Sequence, residues 1–244
     1  MLIYTTKNTN RLKYTLDLIF NDILGLNYFI CTKLDEFRQS DQPKINYSNS
    51  PVTGAINISP SNLLFSDAIS IADPDVDSDK QGIKIFKTEG ELGFDIFSAV
   101  FFMVSRFEEY SNKKLDEFDR FPAVESFAYK NGFLDKPVVN IWVNILKAEI
   151  LKSHPLMQFS TPKFESLMTY DIDVAYKYRG RPLIKNLVLL VKDVVLFRFY
   201  TLQTRFKVLT NKISDPWDVY TSLKSQLEKN RLSSIFFLFI RTVL

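Results

Sequence analysis

The chain has 244 residues, with 31 basic and 28 acidic side chains for a formal net charge of +3. Seven glycines argue against a glycine-rich phosphate loop or a low-complexity chain, and a single cysteine, Cys31, rules out an internal disulfide and a thiolate metal site. Apolar content of 46%, with 22 Phe and 11 Tyr, is enough for a packed core in one or two domains. Met1-Leu2-Ile3-Tyr4 runs into polar residues and Arg11, Lys13 and Asp17, which is not a signal-peptide pattern. The most apolar stretch, residues 187–200, is interrupted by Lys192, Asp193 and Arg198 and falls short of the roughly 18 residues of a membrane span. The expectation is a cytoplasmic protein with neither signal peptide nor transmembrane segment, in a compartment that suits one free thiol.

From the first residue, an α/β order is expected. Leu2 to Thr5 reads as a strand. Asn8, Thr9 or Asn10 then caps a helix with Leu12, Leu16, Ile19, Phe20 and Ile23 on one face, ended by Gly25. A second strand is expected over residues 27–32. Residues 33–62 read as short elements and turns around Pro43, Pro51 and Pro60. Asp73-Pro74-Asp75-Val76-Asp77-Ser78-Asp79 superficially suggests a calcium loop, but Ser78 and Lys84 stand where glycine and glutamate are needed, so a solvated acidic loop is expected. Residues 82–87 alternate like a half-buried strand.

Asp95 is placed to cap a strong helix with Phe97, Val100, Phe101, Val104 and Phe107 as its apolar stripe, running through Glu109. Residues 112–134 are irregular and aromatic. Pro137 suits the first turn of a further helix, which Ser153-His154-Pro155 stops. Ser160-Thr161-Pro162 reads as a linker, dividing the chain into domains 1–160 and 161–244. Ser105 and Ser126 lack a plausible histidine base, and Cys31 reads as a small buried hydrophobe.

The second region opens on the most informative motif, Thr169-Tyr170-Asp171-Ile172-Asp173. Residues 164–170 read as a strand, and residues two apart on a strand share a side, so Asp171 and Asp173 project together. Two close carboxylates suit a divalent metal or acid–base work. The bland alternative is a strand-end turn or helix cap. One long basic helix is expected over residues 182–209, another from Ser214-Asp215-Pro216 to about Lys229, and a buried strand over residues 233–240. Strand, helix, helix, strand is the opening of a parallel α/β unit that needs further strands to cover it.

Charge is uneven. Residues 177–212 hold nine basic side chains against Asp193 alone, a net +8, which leaves −5 for the rest. A solvated helix face explains this. The alternative is an anionic partner, either a membrane surface or nucleic acid. Nucleic acid is not expected, since no binding motif accompanies the charge. The apolar residues Leu187 to Leu196 argue that the helix packs on a sheet, leaving at most weak anionic membrane contact.

Residues 164–240 resemble the start of a polysaccharide deacetylase domain of the NodB-homology type, through the Asp171 motif and Ser234-Ile235-Phe236-Phe237-Leu238. Ser105-Arg106-Phe107-Glu108-Glu109-Tyr110 and Ala128-Tyr129-Lys130-Asn131-Gly132-Phe133-Leu134-Asp135-Lys136-Pro137 resemble the domain that precedes such deacetylases in some bacterial proteins. The resemblance implies an N-terminal α/β domain followed by the first strands and helices of an incomplete deacetylase-like (β/α) barrel. It implies removal of N-acetyl groups from a cell-surface sugar polymer or its precursor, with a divalent metal, usually zinc, held by one Asp and two His. Asp171 then matches the general base. The adjacent acid of the family falls on Ile172, so the ligand role passes to Asp173. The His-x-x-x-His pair is absent and His154 precedes the motif, so this chain is expected to be an inactive fragment that binds no metal stably. The alternatives are a non-catalytic glycan- or partner-binding module, or a peripheral membrane protein that uses residues 177–212.

Overall fold

The computed structural model describes residues 1–69, 72–79, 82–110, 114–160 and 163–238. Thr161 and Pro162 of the expected linker, the first residues of the irregular stretch at 112–113, and the end of the expected last strand at 239–240 lie outside them. The fold is mixed α/β with small sheets, and it divides into two compact units, Met1–Pro162 and Lys163–Leu244.

The first unit is built on a parallel sheet of β1 (Leu2–Thr5), β2 (Phe29–Cys31), β3 (Lys44–Tyr47) and β4 (Ile56–Ile58), in the order β2-β1-β3-β4. The last two come from the stretch read only as short elements and turns. Both faces of the sheet are covered, as parallel strands require. On one face Ile3, Ile45 and Tyr47 join the main core with Phe20, Phe97 and Trp142. On the other, Tyr4 meets Phe37 of α2 (Leu34–Gln39), ring centroids 5.4 Å apart. Cys31 is half-buried beside this smaller cluster rather than buried.

Thr9 caps α1 (Asn10–Leu16) by accepting from the Leu12 N–H. Instead of one continuous α-helix to residue 24, the chain widens into a π-helical segment, Asp17–Leu24, that still places Ile19, Phe20 and Leu24 in the core. Gly25 ends it at φ +64. A Cβ there would also collide with Ser160, whose N–H donates to the Leu24 carbonyl, so glycine is required twice over.

The acidic stretch is not a free loop. Val76–Asp79 forms β5, antiparallel to β6 (Gly82–Ile85), and Lys84 and Lys87 pair with Asp79 and Asp77 across the hairpin. Cross-strand neutralisation makes an acidic strand tolerable, which a reading of the acids alone misses.

Asp95 caps α3 (Ile96–Val104), as its spacing predicts. The helix is shorter than expected. Ser105 closes it, Arg106 turns left-handed at φ 52, and Phe107–Tyr110 continue as a 3₁₀ turn. Ile96 to Phe102 are all buried, so this helix is apolar on every side rather than striped. After a short α4 (Phe127–Lys130), α5 (Val138–Ser153) begins one residue beyond Pro137, and Trp142 on it donates to the Ile83 carbonyl at 2.6 Å.

The carboxylate of Asp95 is fully buried and accepts three hydrogen bonds: Tyr47 Oη at 2.9 Å, Ser61 N–H at 2.8 Å and Ser98 N–H at 3.1 Å. Burial, and then the nearby Asp95 charge, push the Tyr47 hydroxyl well above its ordinary pKa, so it remains a donor.

The second unit pairs β7 (Leu167–Ile172) in parallel with β8, described as Ser233–Leu238. Between them lie α6 (Leu183–Val195), α7 (Phe199–Leu209) and α8 (Tyr220–Asn230). The expected long helix is thus two. The break at Leu196–Arg198 has no glycine or proline to announce it, because Phe197 itself takes the left-handed conformation. The helix expected from Pro216 begins only at Tyr220, because Asp215 is committed elsewhere. Two expectations of burial fail. Asp193 is the one buried residue of α6, and β8 is largely exposed. No helix among the described residues is long and apolar enough to cross a membrane.

Asp95→Ala strands two buried donors and one part-buried donor and removes a helix cap. We expect a loss of about 3 kcal/mol, summed from ~1 kcal/mol or more for each unsatisfied group, in urea denaturation. A loss below about 1 kcal/mol would show that the three donors find other partners.

Candidate functional site

Asp171 and Asp173 sit at the carboxyl end of β7. The register pairs Met168, Tyr170 and Ile172 with Ser234, Phe236 and Leu238, and these residues share one face, where the Tyr170 and Phe236 rings stack at 4.9 Å. Asp171, paired with Phe237, belongs to the opposite face. Asp173 is one residue past the strand. Both side chains are exposed, and neither carboxylate makes a hydrogen bond or ion pair among the described residues.

The segment that follows Asp173 is pinned by a residue read only as a helix start. Asp215, 2% exposed, accepts backbone N–H groups from Lys177, Tyr178 and Arg179 at 2.9, 2.8 and 3.2 Å, and from Trp217 at 3.0 Å. Burial works against its ionisation, but the four N–H donors outweigh burial and hold the carboxyl below its ordinary pKa. Tyr220 Oη donates to the Ala175 carbonyl at 2.9 Å, and its ring meets Tyr176 edge-on at 5.9 Å. The Ser-Asp-Pro spelling of residues 214–216 pointed to a cap, and the carboxylate does cap backbone. The backbone it caps is 36 to 38 residues away, which a local reading cannot see.

On the Tyr170 face, a cleft of about 700 Å³ separates the two strands from α8. Ile172, Tyr176, Leu227, Phe236 and Leu238 make it apolar, while Lys224, Glu228 and Arg231 supply charge. Asp171, on the other face, is not among its lining residues.

A different crevice lies in the first unit, beyond the carboxyl ends of β1 and β3. The chain passes from β1 to β2 on one side and then returns to β3 on the other, so β1 and β3 flank the point where the winding reverses. Open parallel sheets bind ligands in the crevice at such a point. The crevice holds about 240 Å³ and is lined by Tyr4, Thr6, Arg38, Ser48, Asn49, Ser50 and Asn62, the last in the left-handed region at φ 71. Its floor is fixed from below. Fully buried Asn46 donates to the Ser50 carbonyl and to Asn57 Oδ1, both at 2.8 Å, and Ser48 Oγ donates to Asn46 Oδ1 at 2.8 Å. Hydroxyls, amides and one guanidinium around such a volume suit a polyhydroxylated ligand. They include no general base, so the crevice is built for binding rather than chemistry. No motif marks it, since its residues come from β1, α2 and the loops after β1, β3 and β4 and meet only when the sheet winds.

The segments that carry the N-terminal resemblance are structural. Glu108 Oε2 accepts the Phe127 N–H at 2.6 Å, and Phe127 packs edge-on against Phe102 and Phe133. Burial raises the Glu108 carboxyl above its ordinary pKa, against the lowering effect of the Phe127 N–H. Ser105 Oγ donates to the Phe101 carbonyl and Ser126 caps α4, so neither hydroxyl is poised as a nucleophile. His154 ends α5. Among the described residues no three His, Cys, Asp or Glu side chains gather as a metal site.

Residues 1–155 match a family of unknown function, DUF7033. The chain belongs to that family. Comparison with curated proteins and with solved structures gives no match. The DUF7033 match covers the sheet and the polar crevice and ends before β7, so Asp171 and Asp173 lie outside it.

A carboxylate with a lowered folded pKa stabilises above its unfolded value of ~3.9 and loses that contribution as pH falls through the folded value. Trp217 fluorescence should therefore report release of the Lys177–Arg179 segment as pH falls below about 4. In Asp215→Asn the acid-dependent step should vanish, with the segment already loosened at neutral pH. An unchanged acid transition in that variant would show that Asp215 is not the pin.

Proposed function

We propose that the chain is part of a carbohydrate N-deacetylase-like protein, in which residues from 163 onward open a (β/α) barrel and Asp171 is the general base. The observation that carries this reading is the position of Asp171. It stands at the carboxyl end of a strand in a parallel pair, on the sheet face opposite α8. In (β/α) barrels the helices cover one face of the sheet, and catalytic groups come from the carboxyl ends of the strands. The Asp-Ile-Asp spelling and the strand Ser234–Leu238 support the same reading by resemblance, with Asp173 in the ligand role. The residues present do not complete a zinc site, because a catalytic zinc needs about three protein ligands and an open position, and two carboxylates are in place.

Two outcomes are expected. The 244-residue chain releases no acetate from N-acetylated oligosaccharides, with or without added zinc. A protein that continues this chain with a His-x-x-x-His segment releases acetate, and Asp171→Ala lowers its kcat by about 100-fold or more, the usual contribution of a general base. Activity of the continued protein that survives Asp171→Ala would sink the assignment.

The polar crevice favours a second role for the DUF7033 unit, that of holding a saccharide. Titration of the full chain with an N-acetylated oligosaccharide should show saturable binding. Arg38→Ala and Asn49→Ala should each weaken it by about tenfold, the worth of one good hydrogen bond to a charged or amide group. Binding of equal strength in both variants would place the saccharide elsewhere.

A further inference from the structure

We infer that the α6–α7 hairpin is a membrane-docking device that lays α6 on an anionic lipid surface. The argument begins with the direction of α6. A helix that packs on its own fold buries its apolar side, and this one does the reverse. Its one buried residue is Asp193, 5% exposed, whose carboxylate takes Arg205 Nη2 of α7 at 2.7 Å. The Arg205 guanidinium in turn covers the Tyr178 ring at 5.0 Å. Half-buried Asn186 and Leu189 lie two turns and one turn before Asp193, on the same side. The inner side of α6 is therefore narrow and carries Asn186 and Asp193 with Leu189 alone among its half-buried or buried apolar residues. Leu183, Ile184, Leu187, Val188, Val191 and Val195 run along the outer side, with Leu183 and Ile184 82% and 77% exposed.

The tip of the hairpin points the same way. Phe197 N–H donates to the Val194 carbonyl and Arg198 N–H to the Asp193 carbonyl, which closes α6 with the two bonds of a Schellman turn. That turn favours glycine at the left-handed position, yet phenylalanine stands there at φ 52 and 76% exposed. Tyr200, the second residue of α7, is 81% exposed. The fold accepts a disfavoured backbone conformation and thereby holds an aromatic ring outward.

Charge selects the occupant. Lys185 and Lys192, both exposed, are seven residues apart and so flank the apolar side along one edge, and Arg198 joins them at the tip. The segment 177–212 carries a net +8. A second copy that met this patch with its own would face the same charge, which disfavours self-association. An anionic bilayer offers both what the apolar side needs and the opposite charge. The 13 residues of α6 span only about 20 Å at ~1.5 Å per residue, too short to cross a bilayer but suited to lying in its interface. The expectation that these apolar residues pack on a sheet, and so limit lipid contact to weak attraction, is replaced by this geometry.

The test is flotation of the full chain with vesicles of phosphatidylcholine plus phosphatidylglycerol, against vesicles of phosphatidylcholine alone. Partition into the anionic vesicles should be at least about tenfold higher. Lys185→Glu/Lys192→Glu should reduce that preference by about tenfold. Phe197→Gly should weaken partition several-fold while leaving the thermal midpoint unchanged or raised, because it relieves the left-handed turn as it removes the ring. That combination separates lipid contact from misfolding. Equal partition into both vesicles, no flotation, or undiminished flotation of both variants would overturn the proposal. So would sedimentation velocity showing a dimer that Leu187→Ser converts to monomer, since the face would then belong to a second copy.

Discussion

The first unit depends on one buried carboxylate. Asp95 gathers the end of β3 through Tyr47, the loop after β4 through Ser61, and the start of α3 through Ser98. These elements come from three places in the chain, and hydrophobic burial alone would not fix their mutual register, because apolar contact has no direction. No cation accompanies the carboxylate among these partners. Neutral donors balance it, so the charge is desolvated only where hydrogen bonds replace the water. The crevice beyond β1 and β3 inherits that precision, since Tyr47 immediately precedes Ser48 on its wall.

The second unit uses polar groups differently. Asp193 with Arg205, and Asp215 with its four N–H groups, occupy inner positions, while apolar side chains face outward on α6 and on much of β8. An ion pair removed from water contributes little net stability, because desolvation offsets attraction, but it tolerates few alternative arrangements. The hairpin is thereby held in one geometry without a large apolar interior. Arg205 Nε and Nη1 find no partner among the described residues, which leaves Asp193 as the group that orients the guanidinium.

Sequence reasoning reached those features whose cause is local. Thr9 and Asp95 as caps, Gly25 as a stop, and β1 each follow from residues close together in the chain. It missed features whose cause is distant. β3 and β4 are too short to show periodicity and exist because β1 lies beside them. The acidic run becomes a strand because Lys84 and Lys87 face it. Asp215 reads as a cap, but the backbone it caps follows β7. The break at Phe197 carries no signal, since the residue there opposes the conformation it adopts. Of the two carboxylates, strand parity reaches only Asp171, because β7 ends at Ile172 and Asp173 lies beyond it. The crevice was not legible, because a strand, a helix and three loops far apart in the chain make it.

The cleft beside α8 and the segment after Asp173 share their supports. Asp215, in the segment before α8, and Tyr220, its first residue, hold residues 175–179, and Tyr176 and Tyr220 also line the cleft. Anything that wedges α8 away from the sheet pulls on the chain three residues beyond Asp173. A locked arrangement of that chain resists the wedge with equal force. The carboxylate at the strand end and the apolar space behind it thus behave as two arms of one lever, with the buried Asp215 carboxylate as its fulcrum.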